Sequence, residues 1–230
     1  MKILSVLFVV LVFILDSCST SALLTSDVKP SEVVDLQYFE PISYVSGKKE
    51  MINDSLSMDS RQCLNETIQE FNDKISLTGA IIVSNKTTKQ RLEKDIEYLI
   101  MTANDIKLLS ISSVRITPLI DSLLESNGKR FGLIAVECGS VNSRWNYAKQ
   151  TAKEITGTVV IGLAISALTH SYFQPFPMSH SNKSFSVLYV MIVDADLDNI
   201  AFYRKSKQGG DPTDKNVLSD QLNEIFKGYL

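Results

Sequence analysis

Histidine, cysteine and tryptophan are scarce in this chain: two, three and one among 230 residues. Three cysteines are too few for a disulfide scaffold. His170 and His180 stand ten apart across a proline-containing stretch, not at the spacing of zinc ligands on one helix. Neither charge sign dominates, with 23 basic and 26 acidic side chains and a net charge of -3, so no field gathers nucleic acid. The longest apolar runs, 3–15 and 155–168, are 13 and 14 residues long, short of the roughly 20 that a spanning helix needs. Ten glycines and six prolines exclude a collagen-like or low-complexity chain. Also missing are a P-loop, a Gly-x-Gly-x-x-Gly turn and a Gly-x-Ser-x-Gly nucleophile elbow. What remains is a chain 44% hydrophobic and long enough to bury one real core.

Lys2 followed by the apolar run 3–15 and then small polar residues has the layout of an export signal. As a helix the run would reach about 20 Å, against a hydrocarbon thickness of about 30 Å. Leu15-Asp16-Ser17-Cys18 resembles the lipobox of bacterial lipoproteins, with Asp16 where a small or aliphatic residue is usual. That resemblance implies cleavage before Cys18 and acylation of its sulfur and amine, which would hold the protein on a membrane. Cleavage after Thr20-Ser21-Ala22 is the alternative and would leave a free exported protein. Residues 18–40, rich in Ser and Thr toward their start, are expected to be a tether, and 41–230 a single domain.

Within that domain, apolar spacing predicts helices from about Asp59 to Lys74 (Leu64, Ile68, Phe71) and from Thr87 to Ala103 (Leu92, Ile96, Leu99, Ile100). A third is expected over 114–126, with Pro118 near its start and Asn127-Gly128 as its stop. Thr78–Val83 and Phe131–Val136 read as buried strands. Ser186–Val193 and Ile200–Tyr203 read as a hairpin turning through 194–199. Residues 155–168 are expected to form a core helix or one that touches membrane, and Tyr172–Ser184 a loop. Thr213 or Asp214 caps a closing helix with Val217, Leu218, Leu222, Ile225 and Phe226 on one face. The expected fold class is therefore α/β (α+β): a small antiparallel or mixed sheet covered by helices, with a late hairpin and a C-terminal helix.

Few residues suggest chemistry. In an exported protein Cys63 and Cys138 are a possible disulfide or two buried thiols. Cys138 with His170 or His180 would suit a thiol nucleophile and base, the basis of an alternative reading as a cysteine-dependent hydrolase. Asp194, Asp196 and Asp198 alternate like the opening of a calcium loop, but Asn199 and Lys205 replace its glycine and its bidentate Glu. Exposed turn carboxylates are the expected reading, and no metal or cofactor is implied. Glu137, Asp121 and Glu125 are isolated acids. Arg204-Lys205-Ser206-Lys207 reads as a solvated strand end that could touch anionic lipid heads. Trp145, Tyr147 and Tyr172 would line the pocket of a small-ligand binder, a further alternative.

Gly128-Lys129-Arg130-Phe131-Gly132, the glycine-containing segment leading to Phe176-Pro177, and Ser186–Tyr203 before Asp211-Pro212 resemble a group of uncharacterised lipoproteins of Bacteroidota. The order helix, strand, hairpin, closing helix is similar to the periplasmic α/β domain of curli-secretion and penicillin-binding-protein-activator lipoproteins. These resemblances imply an outer-membrane location facing the periplasm, a non-enzymatic binding or assembly role and an envelope protein as partner. They supply no catalytic residue.

Overall fold

The computed structural model describes residues 24–25, 28–47, 52–105, 111–141 and 184–229. Cys18, Trp145, Tyr147, His170, Tyr172, His180 and the expected helix over 155–168 lie outside the described residues.

Asn53 opens the first helix, α1 (Asp54–Glu70), by accepting the Leu56 amide at 3.0 Å. This cap sets the start five residues before the expected one. Phe71 ends α1, and a single further turn, α2 (Asn72–Ile75), carries the chain to Ser76 in the left-handed conformation. Asn85 caps α3 (Lys86–Asp105) in the same manner, through the Thr88 amide at 3.0 Å. Pro118 occupies the first position of α4 (Pro118–Ser126), where its missing N–H costs nothing. The preceding 114–117 is a bend and irregular chain rather than helical, which corrects the expected boundary. At the other end Gly128 takes φ +63, with its amide on Glu125 O and the Lys129 amide on Leu124 O. This paired closure turns the chain directly into a strand. Asp214 caps α5 (Lys215–Phe226) through the Asn216 amide at 2.9 Å.

Among the described residues seven strands form one mixed sheet: β1 (Leu24–Thr25), β2 (Leu36–Phe39), β3 (Ile42–Ser46), β4 (Leu77–Ile81), β5 (Phe131–Ser140), β6 (Phe185–Asp194) and β7 (Asn199–Gly209). The order is β1-β7-β6-β5-β2-β4, with β3 following β2 along the same side of β5. β4, β2 and β5 are parallel, whereas β5, β6, β7 and β1 are antiparallel. Tyr38 faces Leu133 and Ile42 faces Val136, so four steps on one strand match three on the other. Glu40-Pro41 holds the extra residue, at a point where proline has no N–H for a ladder. Folded structure thus begins before the expected boundary at residue 41: β2 lies between β5 and β4, and Val28 is already buried.

Helices cover both faces of the sheet, giving three layers. Phe131, Leu133 and Ala135 pack with Leu64 and Ile68 of α1 and Leu218, Leu222 and Ile225 of α5. Ile134 and Val136 point the other way, into Leu92, Ile96 and Leu99 of α3 and Ile120 and Leu124 of α4. This two-sided burial is why Phe131–Val136 is continuously apolar instead of alternating. Each fully buried Leu, Ile or Phe contributes about 1.5–3 kcal/mol, whereas an exposed, solvent-screened ion pair such as Lys215–Glu70 adds little. The two cores therefore dominate the stability of the fold.

Candidate functional site

The two candidate thiols are kept apart by the sheet. Cys63 on α1 packs toward one core and Cys138 on β5 toward the other, and both are free. The disulfide anticipated as one possibility is not made. Burial pushes the Cys138 thiol well above its usual range, and the Glu137 and Glu97 carboxyls add to the effect. A nucleophilic cysteine requires the opposite shift, toward thiolate.

Asp194 and Asp196 both approach the Arg130 guanidinium, the latter at 3.4 Å, while Asp198 is held elsewhere. Asp194, with no exposed surface, is held by Arg130 through Nε–Oδ1 at 2.9 Å and a second nitrogen to Oδ2 at 2.7 Å. Its Oδ1 also accepts the Asp196 and Leu197 amides, which closes the hairpin turn. Asp198 pairs with Arg115 at 2.8 Å. The expectation of an exposed turn thus needs one correction, since its first carboxylate is structural and buried. Among the described residues no group of His, Cys, Asp or Glu is placed to hold a metal ion.

Arg204-Lys205-Ser206-Lys207 is not a strand end, because β7 continues to Gly209 and deals these side chains to opposite faces. Arg204 donates to the Ile225 and Lys227 carbonyls at the end of α5, and Lys205 reaches Asn104 Oδ1 of α3 at 2.6 Å. Ser206 donates to Glu224, and Lys207 lies 5.9 Å from the Phe185 ring centre. Asp121 and Glu125 sit on α4, half-buried and exposed respectively.

Glu137 is the acid that sequence reading passed over. It lies in the middle strand with no exposed surface, opposite Ser43 of β3 and Leu188 of β6. Ser43 donates to Ser60 of α1 at 2.7 Å, and Ser186 donates to Gln221 of α5 at 2.6 Å. Gln221 in turn donates to the Ser186 and Ser206 carbonyls. Neither carboxyl oxygen of Glu137 closes a hydrogen bond, and burial pushes its pKa up to about 8; Ser186 and the Val187 amide only partly oppose this. On the opposite face Tyr44 donates to Glu97, whose carboxyl is also lifted, first by burial and then by Glu93.

The accessible feature is the outer edge of β4. Sequence predicts a buried strand here, but Thr78, Ala80 and Ile82 are exposed, Ile82 to 80%. Among the described residues β4 pairs only with β2, and its other side meets no strand. Residues 77–83 carry no charge and no proline, the usual protection of an edge. The opposite end of the sheet contrasts with this, since β7 beyond β1 bears Arg204, Lys205 and Lys207. An uncharged β-branched run reads the same at an edge as at the centre, so no signal in the sequence separates the two.

No family model and no curated protein matches the chain. Three solved structures show distant similarity. One PelC dodecamer from Paraburkholderia phytofirmans, a single-substitution variant, matches at 8% identity and TM-score 0.38, over 91% of this chain and 98% of that one. A second PelC dodecamer from the same organism matches at 6% identity and TM-score 0.36, over 88% and 91%. The LpoB C-terminal domain from Salmonella enterica matches at 9% identity and TM-score 0.33, over 81% and 88%.

Proposed function

We propose that this is a non-enzymatic envelope protein, tethered to the outer membrane through an acylated Cys18 and facing the periplasm, that engages a protein partner by strand addition at β4. The observation that carries the binding role is the uncharged outer edge of β4 with Ile82 exposed to 80%. Unpaired main-chain groups on such an edge accept an extended segment of another protein, and exposed side chains beside it supply selectivity. The lipobox-like Leu15–Cys18 supports the anchor. The half-buried Cys138, whose thiol is pushed well above its usual range, weighs against a thiol hydrolase.

The test uses native cells producing the full chain with a photo-crosslinking residue at position 82, and at position 197 as a control. Leu197 is also exposed but lies in the hairpin turn. A single envelope protein joined at 82, absent at 197 and lost on Ala80→Lys, is the expected result. Equal capture at both positions, or capture unaffected by Ala80→Lys, overturns the edge as the binding surface. Mass spectrometry of the mature N-terminus tests the anchor separately: a diacylglyceryl-modified Cys18 is expected, and an N-terminus at Leu23 in the soluble fraction overturns it.

A further inference from the structure

A cleft of about 530 Å³ opens beside α2, between the segment 30–36 and the end of α5. Its volume falls in the range that encloses small ligands. Leu36, Ile192, Phe226 and Tyr229 form its buried floor, and Val33 forms part of the wall. Among the described residues that line it, Lys74 alone is charged. The Lys74 ammonium is held at the rim by Asn223 Oδ1 at 2.7 Å and lies 4.5 Å from the Phe71 ring centre. Both described partners are neutral, so the positive charge is positioned but not cancelled. Fixing it in advance lowers the entropy cost of receiving an anion. In the floor, the Tyr229 hydroxyl is buried and has no hydrogen-bond partner among the described residues.

We propose that this cleft binds a single-chain anionic amphiphile, its hydrocarbon chain along the accessible Val33 and Val34 over the closed floor of Leu36, Ile192 and Phe226, and its acidic head at Lys74. An apolar floor with one cation at the mouth fits that chemistry, because the chain gains by leaving water and the head stays at the solvated rim. A neutral chain of equal length would fill the same floor and gain nothing from Lys74. The inference stands apart from the β4 reading, since the cleft and Ile82 share no residue.

The experiment is calorimetric titration of the mature chain with dodecanoate and with dodecanol, both below their aggregation limits. One saturable dodecanoate site is expected. Lys74→Gln should weaken dodecanoate by about three- to tenfold while leaving dodecanol unchanged, the size expected for one exposed charge pair at a partly apolar site. Val33→Trp should fill the cleft and weaken both by more than about tenfold; Ser31→Trp, at an exposed rim position, gives the same test if the first variant fails to fold. Absence of saturable dodecanoate binding, or binding that survives both tryptophans, overturns the site. Equal losses for both probes in Lys74→Gln overturn the charged head. Ile82→Glu should change neither titration, so failure here and failure at β4 are read separately.

Discussion

Arg130 grips Asp194 in a two-pronged pair, 2.9 Å and 2.7 Å, that joins the start of β5 to the end of β6. The two partners are unequal, because the Asp194 side chain is fully buried whereas that of Arg130 is 36% exposed. Removing the arginine strands a buried carboxylate on two backbone amides alone. Removing the charge of the aspartate leaves a guanidinium that water can reach. Arg130→Ala is therefore expected to cost about 3 kcal/mol, and Asp194→Asn about 1–2 kcal/mol. Urea unfolding of the two variants checks the order; the reverse order would mean that the hairpin amides, not the ion pair, hold Asp194.

Glu137 makes stability depend on pH in a defined direction. Its carboxyl rises from 4.5 to about 8 on folding, so between those values the folded chain keeps a proton that the unfolded chain has released. The contribution of Glu137 to stability is then fully present below about pH 4.5, falls by up to about 1.4 kcal/mol per pH unit toward pH 8, and is level above that. Ser43, Ser186 and Gln221 around it are neutral, and Ser186 with the Val187 amide offsets only part of the burial. Glu137→Gln should match the wild type near pH 4.5 and exceed it at about pH 9. Urea midpoints across that range measure the difference, and parallel curves for the two proteins would refute a proton-retaining Glu137.

Gly139 and Gly209 are expected to respond differently to alanine. A Cβ at Gly139 would lie 2.8 Å from the Phe185 carbonyl oxygen and from the Pro212 ring, neither of which can turn aside. At Gly209 a Cβ would meet nothing within 4 Å. Gly139→Ala should cost on the order of 1–3 kcal/mol through overpacking, and Gly209→Ala should lie within about 0.5 kcal/mol of wild type. Thermal unfolding monitored by circular dichroism separates the two.

Cys63 and Cys138 should both be alkylated in denaturant without prior reduction, since they face different cores. In the folded protein at about pH 8, alkylation should be much slower than for a free cysteine, because burial raises both thiols and leaves little thiolate. Intact mass after timed iodoacetamide exposure gives both results. A pair resistant to alkylation in denaturant would show that they are bonded.

Much of the local structure was legible in the sequence. Leu92, Ile96 and Leu99 recur at helical spacing and lie in one core. Gly128 stops α4, Asp214 starts α5, and 194–198 turns the hairpin. Asn53 was missed as a cap because the residues after it, Asp54 to Ser57, show little apolar stripe. β2 was missed because Leu36–Phe39 is short and meets Pro41 almost at once. The candidate binding surface was misread outright, since Leu77–Val83 has the composition of a central strand and none of an edge.

Period and capping chemistry act between residues a few positions apart, so the sequence alone determined α1, α3, α4 and α5, the hairpin, the two-sided apolar character of β5 and the helix-covered sheet. Whether a strand has a neighbour depends on segments far away in the chain: β2 joins β5 by pairing Gln37 with Gly132, and nothing joins the outer side of β4 among the described residues. The same holds for Glu137, an isolated acid along the chain. It becomes a buried, proton-retaining group only when α1 and α5 close over the sheet and remove the water that would have kept it ionised.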